Sequence, residues 1–216
     1  ADLIVLAGNA EELFNGLDSF IFPADQVLIK PIDKKRRLQK INLMESWKST
    51  KVCWINSNEN FPKEFEGINI AKTEQLNKWK TFQGLPIGCE EIYGKYNPFE
   101  LGFSDLIDLD KGCYLGQEAI SRMIRGASVN CQLRYWESKI LIPFGTKLIN
   151  NSHQVSLNDD IRVIGKVVYS INSDDNKSFG FAIIKSNFIN QDHVFSSDSF
   201  ANIDIKLPLG FSPMMC

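Results

Sequence analysis

Lys111, Cys113, Gln117 and Glu118 fall within the run Lys111-Gly112-Cys113-Tyr114-Leu115-Gly116-Gln117-Glu118, which joins a cation, a thiol, an amide and a carboxylate. After Gly116 the pattern turns helical: Ala119, Ile120, Met123 and Ile124 share one face, and Glu118, Arg122 and Arg125 form a polar stripe. Cys113 is therefore expected just before a helix N-terminus. The unpaired N–H groups of a first turn carry partial positive charge, and Lys111 adds a full one nearby. Both favour thiolate, so the run predicts a thiol below the free-cysteine value of about 8.5, provided that it reaches solvent. The chemistry open to such a thiol includes a mixed disulfide with a partner or redox sensing.

The elements around the run must hold it in place. Ahead of it, residues 3–7 read as a strand, 10–20 as a helix and 26–32 as a strand, a β-α-β piece with Leu13, Phe14, Leu17 and Phe20 as the helical stripe. Lys34-Lys35-Arg36-Arg37 reads as a solvated basic surface, with weak helical periodicity from there to Trp47. Residues 52–55 read as a strand with Cys53 in the core, and 67–70 as a short strand. Thr73 is the expected N-cap of a helix over 74–82, followed by a loop over 88–106 in which Cys89 is structural. Asp105, Asp108 and Asp110 fail the EF-hand spacing, and Ile107 and Leu109 suggest a short strand leading to Lys111. Beyond Ser128 the pattern becomes β, with strands over 132–142, 161–171, 179–185 and 201–207 and a hairpin tip at Asp174-Asp175-Asn176. Strands at that spacing predict a small antiparallel sheet or barrel.

The octet resembles the signature of the YgfZ-type folate-binding proteins, relatives of the glycine cleavage T-protein (aminomethyltransferase) that act in iron–sulfur cluster assembly or maintenance. Gln83-Gly84-Leu85-Pro86 resembles the upstream glycine element of that family, and Pro98-Phe99-Glu100 its Pro-x-Glu. Arg122 resembles the arginine on the helix after the signature, and Gly165-Lys166-Val167 the glycine that opens a hairpin in the C-terminal barrel. The resemblance covers roughly residues 75–185 well and the rest by element order. It implies an α+β fold: a ferredoxin-like, T-protein-like folate-binding region over 1–127, followed by a C-terminal antiparallel β-barrel over 128–216. It also implies that the family's N-terminal segment, which carries the catalytic aspartate in the T-proteins, is missing here.

What the resemblance implies for function is a tetrahydrofolate-binding accessory protein for iron–sulfur enzymes. Cys113, Lys111, Gln117 and Glu118 would be its working residues, and Glu100, Tyr114, Gly116 and Arg122 would contact tetrahydrofolate or a derivative, in a channel between the two parts. Its expected partners are the reduced folate and iron–sulfur enzymes or assembly proteins, and it is expected to be a monomer. The alternative is a folate-dependent aminomethyltransferase or other one-carbon transferase. In the T-protein branch an Arg and a Glu before the glycine element help hold the pterin, and here Lys80 and Phe82 stand at those positions. Phe82 cannot accept the pterin's protons, and the mitochondrial assembly branch lacks that Glu as well. The chain also has Asn130-Cys131-Gln132 where relatives often carry Lys and Arg.

Bulk properties bound these readings. The 216 residues are 44% hydrophobic, enough for a sizeable core, and the net charge of -2 supplies no field to draw nucleic acid or an anionic membrane. No apolar run approaches a membrane span, and the start has no basic region of the kind that opens a signal peptide. Five cysteines, an odd number without a Cys-x-x-Cys pair, predict reduced thiols. With two histidines, neither beside a cysteine, zinc is not expected. A cytoplasmic location follows, or an organelle matrix or stroma in a eukaryote.

Overall fold

The computed structural model describes residues 9–30, 34–86, 92–114, 116–126, 129–150, 162–173 and 176–214. By internal contacts the chain divides into two compact units, one of residues 1–40 and 51–70, the other of 41–50 and 71–216. Residues 71–127 thus belong to the same compact unit as the barrel.

In the first unit, helix α1 (Ala10–Asp18) starts at Asn9, whose side-chain oxygen accepts the Glu11 N–H at 3.0 Å. That bond satisfies one of the orphan donors of the first turn. Strands β1 (Lys35–Gln39) and β2 (Val52–Asn56) pair antiparallel, Arg37 opposite Trp54 and Leu38 opposite Cys53. The expected β-α-β order is not seen among the described residues. Positions 3–7 and 31–33 lie outside them, and 26–30 form no strand; the strand begins later, within the basic cluster itself. A basic sequence can hold a strand because its side chains find partners. The Arg36 guanidinium lies 5.2 Å from the Phe61 ring centre and donates to the Glu59 carbonyl, and Lys35 donates to Asn56. Their aliphatic stems can then cover apolar surface while the charged heads stay wet. Residues 67–70 form no strand.

In the second unit, residues 41–47 turn rather than coil into a helix. Asn42 accepts the Met44 N–H at 2.9 Å, and the Trp47 N–H donates to the Gln83 side chain at 2.8 Å. Helix α2 (Thr73–Gln83) includes Thr73, so the N-cap is Lys72, whose N–H donates to Gln75 Oε1 at 2.9 Å. Gly84 ends α2 in the left-handed conformation, with the Leu85 N–H returning to the Lys80 carbonyl at 2.9 Å. Helix α3 (Gln117–Arg125) follows the octet.

Six strands then close into an antiparallel barrel: β3 (Cys131–Ser138), β4 (Lys147–Ile149), β5 (Val163–Asn172), β6 (Ser178–Lys185), β7 (His193–Ser196) and β8 (Asn202–Lys206). Their order is β3-β6-β5-β4-β7-β8, with β8 returning to β3 through Trp136 opposite Ile205. Closure leaves no free edge. Trp136, Leu148, Ile164, Val167, Ala182, Ile184, Val194 and Ile203 form one buried core. Leu133, Val168, Phe181 and Ile183 form a second with Ile92, against which Tyr96, Leu101 and Phe211 pack. β6 alternates between the two cores, which is why seven of its eight residues, all but Lys185, are buried. Gly165 lies inside β5, opposite Leu148 and Ile184, rather than opening a hairpin.

The architecture is therefore mixed, few helices with a closed six-stranded antiparallel barrel. Among the described residues no helix is long and apolar enough to cross a membrane.

Candidate functional site

The chain reaches the octet through turns, not the short strand expected from Ile107 and Leu109. Asp108 Oδ1 accepts the N–H groups of Asp110 at 2.9 Å and Lys111 at 3.1 Å, a local arrangement that competes with extended backbone. Asp105 is engaged elsewhere, its Oδ1 2.6 Å from Lys48 Nζ, which also donates to Ser212 at 2.8 Å. Burial raises the Asp105 carboxyl, but Lys48 and Ser212 outweigh it, and the net position is below the usual carboxylate range. Two of the three acids thus have partners within the fold. No group of three or more His, Cys, Asp and Glu side chains among the described residues could hold a metal ion.

Cys113 is exposed, with exposed Lys111 and Gly112 before it. The Lys111 ammonium lies 4.6 Å from the Tyr114 ring centre, a cation–π contact that orients both side chains. Gly116 is the N-cap of α3 with φ 91°, a left-handed conformation that disfavours any side chain with a Cβ. Its carbonyl accepts the Ile120 N–H at 3.1 Å and starts the helix. Ile120, Met123 and Ile124 are half-buried as the periodicity predicts, whereas Ala119 is exposed. Glu118 and Arg122 pair at 3.0 Å across one turn, and both are largely exposed.

Tyr114, Gly116, Gln117, Glu118, Ala119, Arg122, Met123 and Gly126 line an open hollow of about 930 Å³. Five of the eight sequence-predicted site residues are therefore brought to one surface, with Lys111 stacked on the ring of one of them. The Tyr114 hydroxyl is buried, with no hydrogen-bond partner among the described residues. An amide from Gln117, a carboxylate from Glu118 and a guanidinium from Arg122 add donors and acceptors on the α3 side. A planar heterocycle with amide and amino edges could be held by this set.

Glu100 lies apart from the hollow. It is 9% exposed, and its Oε2 accepts the Asn97 N–H at 3.0 Å while Asn97 Oδ1 accepts the Glu100 N–H at 3.0 Å. The other carboxylate oxygen accepts from the Cys131 thiol at 3.3 Å, and the Glu100 carbonyl accepts the Leu133 N–H at 2.8 Å. These bonds tie the 97–100 turn to the start of β3. Burial, then the Glu100 charge and hydrogen bond, push the Cys131 thiol up to about 12. The Tyr96 hydroxyl is likewise raised, chiefly by burial. This thiol–carboxylate pairing spans positions 100 and 131, and no local signal in the sequence announces it.

Phe82 packs edge-on against Tyr135 with ring centres 5.5 Å apart. The side chain serves the fold there. Compared with known families and with curated proteins, the chain matches no family model and no curated protein.

Proposed function

We propose that this chain is a tetrahydrofolate-binding accessory protein for the assembly or repair of iron–sulfur enzymes, with Cys113 as its working thiol. The observation that carries the reading is a hollow of about 930 Å³ lined by Tyr114, Gln117, Glu118 and Arg122, beginning one residue beyond an exposed thiol. That volume lies within the roughly 300–1,000 Å³ of small-molecule sites. The reduced folate binds along α3, with Tyr114, Gln117 and Arg122 as contacts and Glu118 holding Arg122 in place. Gly116 permits the turn that presents them. Cys113 meets the partner protein from the open side. The part of the chain ahead of the barrel is proposed to be the ferredoxin-like, T-protein-like domain. The proposed location is cytoplasmic, or an organelle matrix or stroma.

Glu100 contributes by fixing the 97–100 turn to β3, since both its carboxylate oxygens are already bonded.

The test uses cells lacking their own YgfZ-type gene. Activity of cluster-dependent enzymes is measured after rescue with this protein or with Cys113→Ala, alongside tetrahydrofolate titration of both. Rescue by the first alone, with equal folate binding, supports the proposal. Failure of both with folate binding intact favours a one-carbon transferase, and absence of folate binding removes the proposal.

A further inference from the structure

Arg134 in β3 is only 5% exposed, and among the described residues it has no carboxylate partner. Buried arginines are rare unless paired, because desolvating a charge is costly. Its Nη1 donates to the Leu133 carbonyl at 2.9 Å, and its Nη2 to Gln132 Oε1 at 3.0 Å and the Ile189 carbonyl at 3.5 Å. All three acceptors are neutral. The guanidinium also lies 5.5 Å from the Phe211 ring centre. With five N–H donors in an arginine fork, donors remain uncommitted. Burial brings this group down to about 10.

Beside Arg134 is a hollow of about 350 Å³ between the Ile189–Asp192 turn and the end of β8. Its walls include Lys206, whose ammonium is 3.1 Å from Glu137, on the face of β3 opposite to Arg134. They also include Gln191, whose side-chain oxygen is buried without a partner among the described residues, and Asp192. The hollow thus joins a cation whose hydrogen-bond acceptors are neutral to an acceptor that lacks a donor among the described residues. A planar guanidinium matches a carboxylate or phosphate in geometry. The volume, near the low end for small-molecule sites, suits a molecule of few heavy atoms.

We propose that this hollow binds a small carboxylic acid that also carries an ammonium or hydroxyl group. Arg134 holds the carboxylate, and Gln191 and Asp192 accept from the ligand's donor. Asp192 decides between the carboxylate and phosphate sources of the oxyanion, because it repels a multiply charged anion and attracts an ammonium. The site is separate from the octet and does not depend on the folate proposal.

The experiment is a thermal-shift and calorimetric titration of the full chain with glycine, lactate, acetate and inorganic phosphate, against sodium chloride at matched ionic strength. Saturable stabilisation by glycine or lactate, exceeding that by acetate, is expected. Arg134→Met should weaken binding roughly tenfold or more, the loss expected for one charge-assisted hydrogen-bond anchor. Since that variant alters a buried position, Asp192→Asn at the exposed wall serves as the second. It should remove the advantage of glycine over acetate and leave melting without ligand unchanged. No saturable effect of any acid up to tens of millimolar overturns the proposal and leaves Arg134 as a structural cation against Phe211. Phosphate acting as well as the carboxylates, unaffected by Asp192→Asn, overturns the donor-bearing acid as the ligand.

Discussion

The Cys131 thiol donates to Glu100 Oε1 at 3.3 Å, so the less exposed of these two cysteines, Cys131 and Cys113, is also the one held as a thiol. Only the thiolate is a competent nucleophile. Brief iodoacetamide treatment of the native chain near neutral pH should therefore label Cys113 first. Peptide mass spectrometry should find Cys131 labelled at least about tenfold more slowly, as expected when pKa controls the reaction. Comparable rates at the two sites would show that the Glu100 contact does not protect the thiol.

The same contact makes folding stability depend on alkaline pH. The folded thiol titrates at about 12, the unfolded one at about 8.5. The folded state thus retains a proton that the unfolded state releases. The stabilisation is complete below about 8.5 and is lost as pH rises towards the folded value. Between pH 8.5 and 10 the thiol is separated from the tyrosines, whose unfolded-state titration is centred near about 10. Denaturant midpoints should fall across that window and fall less in Cys131→Ser, which keeps a donor for Glu100 but does not titrate there. Parallel slopes in the two proteins would assign the alkaline loss to another group.

Arg122 separates binding from folding. Its pair with Glu118 has both partners more than three-quarters exposed, at 76% and 82%. An exposed i,i+4 pair contributes only about 0.3–0.5 kcal/mol. Arg122→Gln should therefore shift unfolding free energy by less than about 0.5 kcal/mol, while weakening tetrahydrofolate severalfold if the hollow is its site. Chemical denaturation and fluorescence titration on the same preparation check both halves. Unchanged affinity would move the folate contact off α3.

How far the sequence could be read depended on whether the signal was local. The helix after Gly116 was legible because apolar residues recur at helical spacing and a glycine marks its start. The barrel was legible in β3, β5, β6 and β8, which run five to ten residues. β4 and β7, of three and four residues, are too short to show an alternation, and only their pairing with each other and with β5 and β8 makes them strands. In the first unit, Lys35-Arg36-Arg37 has no apolar alternation, and its strand exists through partners such as Phe61 and Asn56. At the hollow, four lining residues lie in the octet and four on the helix or its end beyond it, so their common surface follows from one local segment. The bonding of Glu100 to Cys131 could not be read, since it depends on how the turn at 97–100 docks against β3.

Two glycines in this fold should respond to alanine for different reasons. At Gly116, φ is 91° and a Cβ would meet nothing within 4 Å, so the penalty is conformational alone. A left-handed residue with a side chain costs about 1–2 kcal/mol. Asparagine tolerates that region better, so Gly116→Asn should recover part of what Gly116→Ala loses. At Gly102, φ is 80° and a Cβ would overlap the Phe211 ring, which packs against the Leu133 and Phe181 cluster. Overpacking adds about 1–3 kcal/mol to the conformational cost, and asparagine cannot relieve it. Denaturation of the four variants should show rescue by asparagine at position 116 and none at 102. Rescue at both would mean that Phe211 gives way freely, and the packing of the C-terminal segment over the second core would then contribute little to stability.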